Sequence, residues 1–319
     1  MKKQKNLNRI AIIGCGHVGT TSAYSLLLSG TAEELVLIDK DKDRLIGEAM
    51  DLQHSVPLTR PVRIWAGTYA DAATADIVVI TAGAASSPGE TRLDLLDRNV
   101  AVIREIMLEL SAVNFDGIVL MTTNPVDILA QVAQEESSLP PEKVIGTGTV
   151  LDTARLKAML GEELGVEARS VHAYMIGEHG NSEVAAWDAA RIGGVPLADF
   201  CKTNCPDFDK LLERVRNAAP EIVKHKGYTS FAIASCVTKI CEAILHDEHT
   251  ILPVSTMLTG QYKIEGVYLS LPCVIGREGV ERIIELPLNQ SEHQGLQDSA
   301  ALLKQTLENM KNKAVSSAV

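Results

Sequence analysis

The chain lacks an excess of positive charge, a long hydrophobic run, a metal-type cysteine spacing and any internal repeat. Each absence excludes a class of function. Its 319 residues carry 30 Lys and Arg against 41 Asp and Glu, a net charge of −11. So acidic a protein is a poor partner for nucleic-acid phosphates or an anionic membrane surface. No apolar run reaches membrane-spanning length. The start Met1-Lys-Lys-Gln-Lys5 slightly mimics a secretion signal, but Gly and His soon interrupt the apolar stretch, which reads as a first strand. The six cysteines, Cys15, Cys201, Cys205, Cys236, Cys241 and Cys273, form no CxxC. Cys201 and Cys205 find no Cys or His at ligand spacing, so no metal is expected. The composition suits a cytoplasmic protein with reduced thiols. There is no low-complexity segment.

What is present begins with Ile10-Ala-Ile-Ile-Gly-Cys-Gly-His-Val-Gly19. A short apolar run ends in Gly14-x-Gly16-x-x-Gly19, a helical pattern follows, and Leu35-Val-Leu-Ile-Asp39 closes with an acid twenty positions after Gly19. That is the register of a dinucleotide fingerprint. Gly14 permits the tight turn, Gly16 lets a pyrophosphate approach the backbone, and Gly19 lets the helix pack on the strand. The helix start offers free N–H groups to the phosphates. Asp39 is placed to accept from ribose hydroxyls. It also disfavours a 2′-phosphate, since two like charges about 4 Å apart repel by about 4 kcal/mol at an effective dielectric near ~20. NAD is therefore expected rather than NADP.

Strand patterns near 9–13, 34–38, 62–66, 76–80, 117–121 and 144–147 alternate with helical ones, which implies a parallel sheet. Beyond them a helical pattern covers about 207–247, interrupted at Pro220 and Gly227. Strands are expected near 250–259, 266–275 and 281–286, with a closing helix over about 291–313. The fold class is thus α/β: a doubly wound parallel sheet in residues 1–148, the nucleotide-binding domain, and an α+β substrate domain in 149–319.

Three further stretches carry chemistry. Tyr174-Met-Ile-Gly-Glu-His-Gly-Asn181 sets His179 among glycines, where a ligand can come close, and His is the side chain best suited to exchange protons near neutrality. Thr81-Ala-Gly-Ala-Ala-Ser-Ser-Pro-Gly-Glu-Thr-Arg92 follows a buried-strand pattern and reads as a ligand loop leading into a helix. In Gly146-Thr-Gly-Thr-Val-Leu-Asp-Thr-Ala-Arg155, Asp152 and Arg155 share one helix face. For each there is a plainer reading: an exposed imidazole, a solvated loop arginine, a local ion pair.

Together with Thr123-Asn-Pro-Val-Asp127, Lys226-Gly-Tyr-Thr229 and Val267-Tyr-Leu-Ser-Leu-Pro272, these stretches make the chain resemble the L-lactate/L-malate dehydrogenase family, and bacterial L-lactate dehydrogenases most, over nearly its whole length. The resemblance implies a Rossmann-type domain and an NAD-dependent L-2-hydroxyacid dehydrogenase, with pyruvate and L-lactate as the default pair in glycolysis and fermentation. It implies that His179 exchanges the proton, Asp152 orients it, Arg155 clamps the substrate carboxylate, and Arg92 polarises the carbonyl. Asn124 and Thr229 would face the substrate. Val18, Arg44, Tyr69, Gly83, Ala84, Thr122 and Thr147 would line the NAD groove beside Gly14, Gly16, Gly19 and Asp39. Lys157 and His172 stand where allosteric relatives bind fructose 1,6-bisphosphate. A homotetramer or dimer is also implied. An NAD-dependent glycosidase would need a metal-binding Cys/His set that is not found, and a silent NAD-binding protein would not need the His179, Asp152, Arg155 and Arg92 set.

Two positions depart from the lactate pattern. Ser86 stands where lactate enzymes usually carry Gln and malate enzymes Arg. Without an arginine a second carboxylate would be buried unpaired, so malate is disfavoured, and the smaller Ser leaves room for longer 2-keto acids of the 2-hydroxyisocaproate type. Asn181 replaces the usual Asp and, with the stretch 226–230, points the same way.

Overall fold

A computed structural model describes residues 8–84, 92–202 and 205–317, without the side chains of 92, 93 and 314–317. The chain falls into two compact units. One comprises Met1–Thr147, Thr229–Thr250 and Ile275–Glu281; the other comprises Gly148–Tyr228, Ile251–Val274 and Arg282–Val319. The first boundary falls between Thr147 and Gly148. Two later segments nevertheless fold back into the first unit, a long-range pairing that composition along the chain does not signal.

In the first unit the elements run β1 (Arg9–Ile13), α1 (His17–Ser29), β2 (Glu34–Ile38), α2 (Lys42–Ser55), β3 (Arg63–Ala66), α3 (Tyr69–Ala72), β4 (Ile77–Ile80), α4 (Arg92–Ala112), β5 (Ile118–Met121), α5 (Val126–Glu135) and β6 (Val144–Gly146). The strands lie in the order β6-β5-β4-β1-β2-β3, each pair parallel. Strands β2, β4 and β5 are short apolar runs buried throughout, as sheet strands covered on both faces must be. The expected strand positions hold to within a residue or two. Helix α2 is capped by Asp41, whose side chain accepts from the Arg44 N–H, and α1 ends on the left-handed Gly30. Because β1 is flanked by β2 and β4, the strand order reverses there, and ligands of such sheets bind at the carboxyl ends around that reversal.

The second unit holds α6 (Val150–Leu164), the two-residue strands β7 (Val171–His172), β8 (Met175–Ile176), β9 (Val184–Ala185), β10 (Arg191–Ile192) and β11 (Val195–Pro196), then α7 (Leu197–Cys201) and α8 (Phe208–Lys226). Helix α9 (Phe231–Leu245) returns to the first unit, where Thr238 Oγ1 donates to Ser25 Oγ of α1 at 2.7 Å. Then follow β12 (Thr250–Thr259), β13 (Glu265–Gly276), β14 (Gly279–Ile283) and α10 (Gln290–Ser317). The core of the second unit gathers Leu156, Leu160, Met175, Ile192, Leu211 and Val215. Trp187 and Phe208 stack beside it, ring centres 4.7 Å apart.

Two expectations are corrected. Pro220 does not interrupt its helix: α8 runs through it and stops at the left-handed Gly227. Proline removes one backbone donor and frees the carbonyl one turn back, a loss this helix tolerates where Pro220 itself lies on its exposed side. Cys201 and Cys205, read as reduced thiols, are joined as a disulfide. Lys202, with φ 49°, turns the chain after α7 and brings the two Cα atoms to 4.8 Å, within bridging reach. The other four cysteines are buried and form no disulfide.

Candidate active site

Every expected nucleotide contact lies in the first unit, in turns that follow strand carboxyl ends or in the helix starts beyond them. Gly14 follows β1 with φ +101°, and a Cβ there would sit 2.4 Å from the Ala82 nitrogen. A Cβ on Gly19 would lie 1.9 Å from the Gly14 carbonyl oxygen, which is the close helix-to-strand approach the spacing predicts. Gly16 meets nothing within 4 Å, so the backbone beside it is open. Asp39 follows β2. One carboxylate oxygen accepts the Cys15 N–H at 2.6 Å and the other the Asp41 N–H at 3.0 Å, so the acid fixes the glycine loop while keeping lone pairs to spare. Lys42 turns its ammonium to the Asp39 carbonyl oxygen at 2.8 Å. Burial, with the Asp39 charge, pushes the Cys15 thiol up to about 12, so it stays neutral.

The remaining nucleotide positions are less uniform. Val18 and Tyr69 are half-buried, and burial pushes the Tyr69 phenol up to about 12. Arg44 is exposed and pairs with Glu48 at 3.3 Å, the plainer surface reading. Thr122 and Thr147 are buried after β5 and β6. Thr122 Oγ1 has no hydrogen-bond partner among the described residues. An orphaned hydroxyl there, the open Gly16 backbone and the Asp39 carboxylate together fit a dinucleotide with free ribose hydroxyls. Asn99 of α4 escaped sequence reasoning. Its buried amide accepts the Ala84 N–H at 2.7 Å and donates to the Asn124 carbonyl oxygen at 3.0 Å, tying the turns after β4 and β5 together beside Gly83. A lone Asn in a helical pattern gives no signal for that role. Asn124 itself is exposed and precedes a cis proline, and Thr229 is half-buried. Ser86 and the Arg92 side chain lie outside the described residues.

The second unit brings His179, Asp152 and Arg155 together. Asp152 Oδ2 meets His179 Nδ1 at 2.5 Å, and Oδ1 accepts from Arg155 Nη1 at 2.9 Å. The ion pair between Asp152 and Arg155 is therefore formed, but buried rather than superficial: their side chains are 4% and 13% exposed. Asp152 sits in the first turn of α6, where the helix favours an anion. Thr149 Oγ1 donates to the Met175 carbonyl oxygen at 2.7 Å, and Thr153 Oγ1 accepts the Met175 N–H at 2.9 Å, which clips that turn to β8. Gly177 exchanges two backbone bonds with Ser270 of β13, and the Glu178 N–H donates to Ser299 Oγ of α10 at 2.7 Å. The His179 loop is thus held from three sides. Burial pushes the Asp152 carboxyl up, but the His179 imidazole and Arg155 guanidinium beside it outweigh burial and hold it below the usual range.

Lys157 lies half-buried on α6, and burial holds its ammonium below the usual range. His172 is exposed on β7, opposite Arg191 of β10.

Comparison with known proteins gives one answer. Residues 8–146 match the lactate/malate dehydrogenase NAD binding domain, and residues 149–314 match the lactate/malate dehydrogenase alpha/beta C-terminal domain. An L-lactate dehydrogenase of Priestia megaterium is 49% identical over 302 residues, covering 93% of this chain and 95% of its own. One from Acetivibrio thermocellus is 46% identical over 315 residues, covering 97% and 99%. Among solved structures, a lactate dehydrogenase from a Medee basin deep-sea metagenome library superimposes with a TM-score of 0.94 at 40% identity, covering 96% of this chain and all of that one.

Proposed function

The chain belongs to the lactate/malate dehydrogenase family, and we propose that it interconverts pyruvate and L-lactate with NAD. The observation that carries this reading is the His179–Asp152–Arg155 cluster, built on a buried Asp152, in a chain whose other unit is an NAD-binding domain. Bound NAD supplies or takes the hydride; the protein supplies a proton, a clamp and orientation. Asp152 holds His179 through Nδ1, so proton exchange with the substrate oxygen falls to Nε2. In reduction the imidazolium gives its proton; in oxidation the neutral ring takes it back, with Asp152 stabilising the charged form throughout. Arg155 offers the guanidinium nitrogens not engaged by Asp152 to the substrate carboxylate. Arg92 would polarise the carbonyl where negative charge develops, with Asn124 and Thr229 facing the substrate.

Gly14, Gly16, Gly19 and Asp39 would hold the nucleotide, with Val18, Tyr69, Gly83, Ala84, Thr122 and Thr147 along the groove and Arg44 at its rim. A homodimer or homotetramer is supported by the exposed apolar side chains Tyr24, Leu28, Ile46, Met50 and Phe231 on α1, α2 and α9 of one unit. Lys157, His172 and the adjoining Arg191 support an anion site for fructose 1,6-bisphosphate. We place the reaction in the cytoplasm on the four buried cysteines that form no disulfide, the Cys201–Cys205 bridge being the exception; no described helix is long and apolar enough to cross a membrane.

Incubation with pyruvate and NADH, followed by chiral separation of the product, tests the reading. L-lactate is expected. D-lactate, or no consumption of NADH with pyruvate, overturns it.

A further inference from the structure

Four residues beyond His179 the same loop buries a carboxyl that none of the roles above uses. Glu183 is 2% exposed, and its Oε1 is sealed from solvent without a hydrogen-bond partner among the described residues. Buried carboxylates are normally paired. Arg216 of α8 reaches this residue, yet it donates Nη2 to the Glu183 carbonyl oxygen at 2.5 Å, and its own Nε is buried without a partner among the described residues. The arginine fixes the Glu183 backbone and makes no ion pair with the side chain. The charges acting on the carboxyl are Asp152 and Arg155 from α6, Arg216 from α8 and His179 from its own loop. On α10, which lies against β9, Glu292 is engaged by the Asp188 and Asn289 N–H groups, Asp298 accepts from Gln294, and His293 sits edge-on to Tyr262.

We propose that Glu183 is a positioning residue of the relay, the group that keeps His179 charged and able to donate toward the alkaline end of the working range. Burial, reinforced by the Asp152 charge, pushes this carboxyl up to about 8, against the pull of His179, Arg216 and Arg155. Below that pH it is a neutral acid, which a dry site tolerates. Above it a second anion faces the imidazolium and opposes loss of its proton. Glu183 works through His179 and touches neither substrate nor cofactor. The inference rests on the reading of His179 as proton donor.

The test is a histidine NMR titration of the full ligand-free chain, with the His179 resonance identified by its loss in His179→Asn. In Glu183→Gln the imidazole midpoint should fall by roughly one pH unit, and the alkaline limb of kcat/KM for pyruvate should shift by the same amount. Glu183→Asp keeps the charge and should return the midpoint toward that of the unsubstituted protein. An unmoved midpoint in Glu183→Gln, or a loss of activity by one factor at every pH, would make Glu183 a packing residue. If Glu183→Gln does not fold, Glu183→Ala takes its place in the same titration: a lowered midpoint supports the proposal, and an unmoved one overturns it. Stability gives an independent reading. A raised carboxyl stabilises the fold fully below its ordinary value of 4.5, and that contribution is lost as pH rises to about 8. Across that window the Tm of Glu183→Gln should gain on the unsubstituted protein; parallel curves contradict the proposal. Because the titration is done without substrate, a failure to reduce pyruvate would leave its result standing.

Discussion

At His179 the chemistry turns on which ring nitrogen is held. Asp152 takes Nδ1, and that one contact orients the ring and leaves Nε2 as the nitrogen that the proposed mechanism turns to substrate. We expect His179→Asn to lose about 10²–10⁴-fold in kcat while NADH still binds, measured by NADH fluorescence. Near-normal turnover would remove His179 from the mechanism. Arg155→Lys keeps a charge but loses the planar fork, so pyruvate binding should weaken by about 2–5 kcal/mol, read as a raised KM; an unchanged KM would assign the carboxylate to another cation. Asp152 also sets an acid limit. Its folded-state carboxyl titrates below the usual range, so its stabilising contribution is full above about 3.9 and is lost as pH falls through the folded value. Acid unfolding followed by circular dichroism should therefore be less steep in Asp152→Asn. These three residues were legible because their motifs are local. Glu183 was not, since nothing in its neighbours along the chain says that it will be buried.

The proposed nucleotide site at the glycine turn between β1 and α1 requires the helix start to lie close against the strand end. A methyl on Gly19 would fall on the Gly14 carbonyl, so Gly19→Ala must push α1 outward. Overpacking of this kind costs roughly 1–3 kcal/mol. NADH affinity should fall about tenfold or more, one decade being about 1.4 kcal/mol, and titration calorimetry would measure it. An unchanged Kd would mean that the phosphates do not use this turn. Long periodic elements were readable: the six parallel strands stand within a residue or two of their expected bounds, while the closing helix α10 runs four residues past its expected end. The strands β7 to β11 were not, because two residues show no alternation to detect. Pro220 misled because its effect depends on which side of the helix faces water.

At the scale of the molecule, the first half reads directly from sequence, since every parallel strand pairs with another of the same continuous stretch. The return of 229–250 and 275–281 to the first unit rests on contacts far apart in sequence, such as Thr238 with Ser25, which periodicity cannot reveal. The Cys201–Cys205 bridge likewise depends on a turn at Lys202 that the sequence does not announce. Family membership and cofactor follow from the whole chain; the proposed choice of pyruvate over oxaloacetate rests on one sequence position, Ser86, whose side chain carries no cation for a second carboxylate. The measurement that tests the central claim most directly is kcat/KM for NADH oxidation with pyruvate and with oxaloacetate, side by side. Pyruvate should be favoured by at least about tenfold, the least that a mismatched substrate group costs in a shaped pocket. A preference for oxaloacetate would contradict the account and assign the chain to malate.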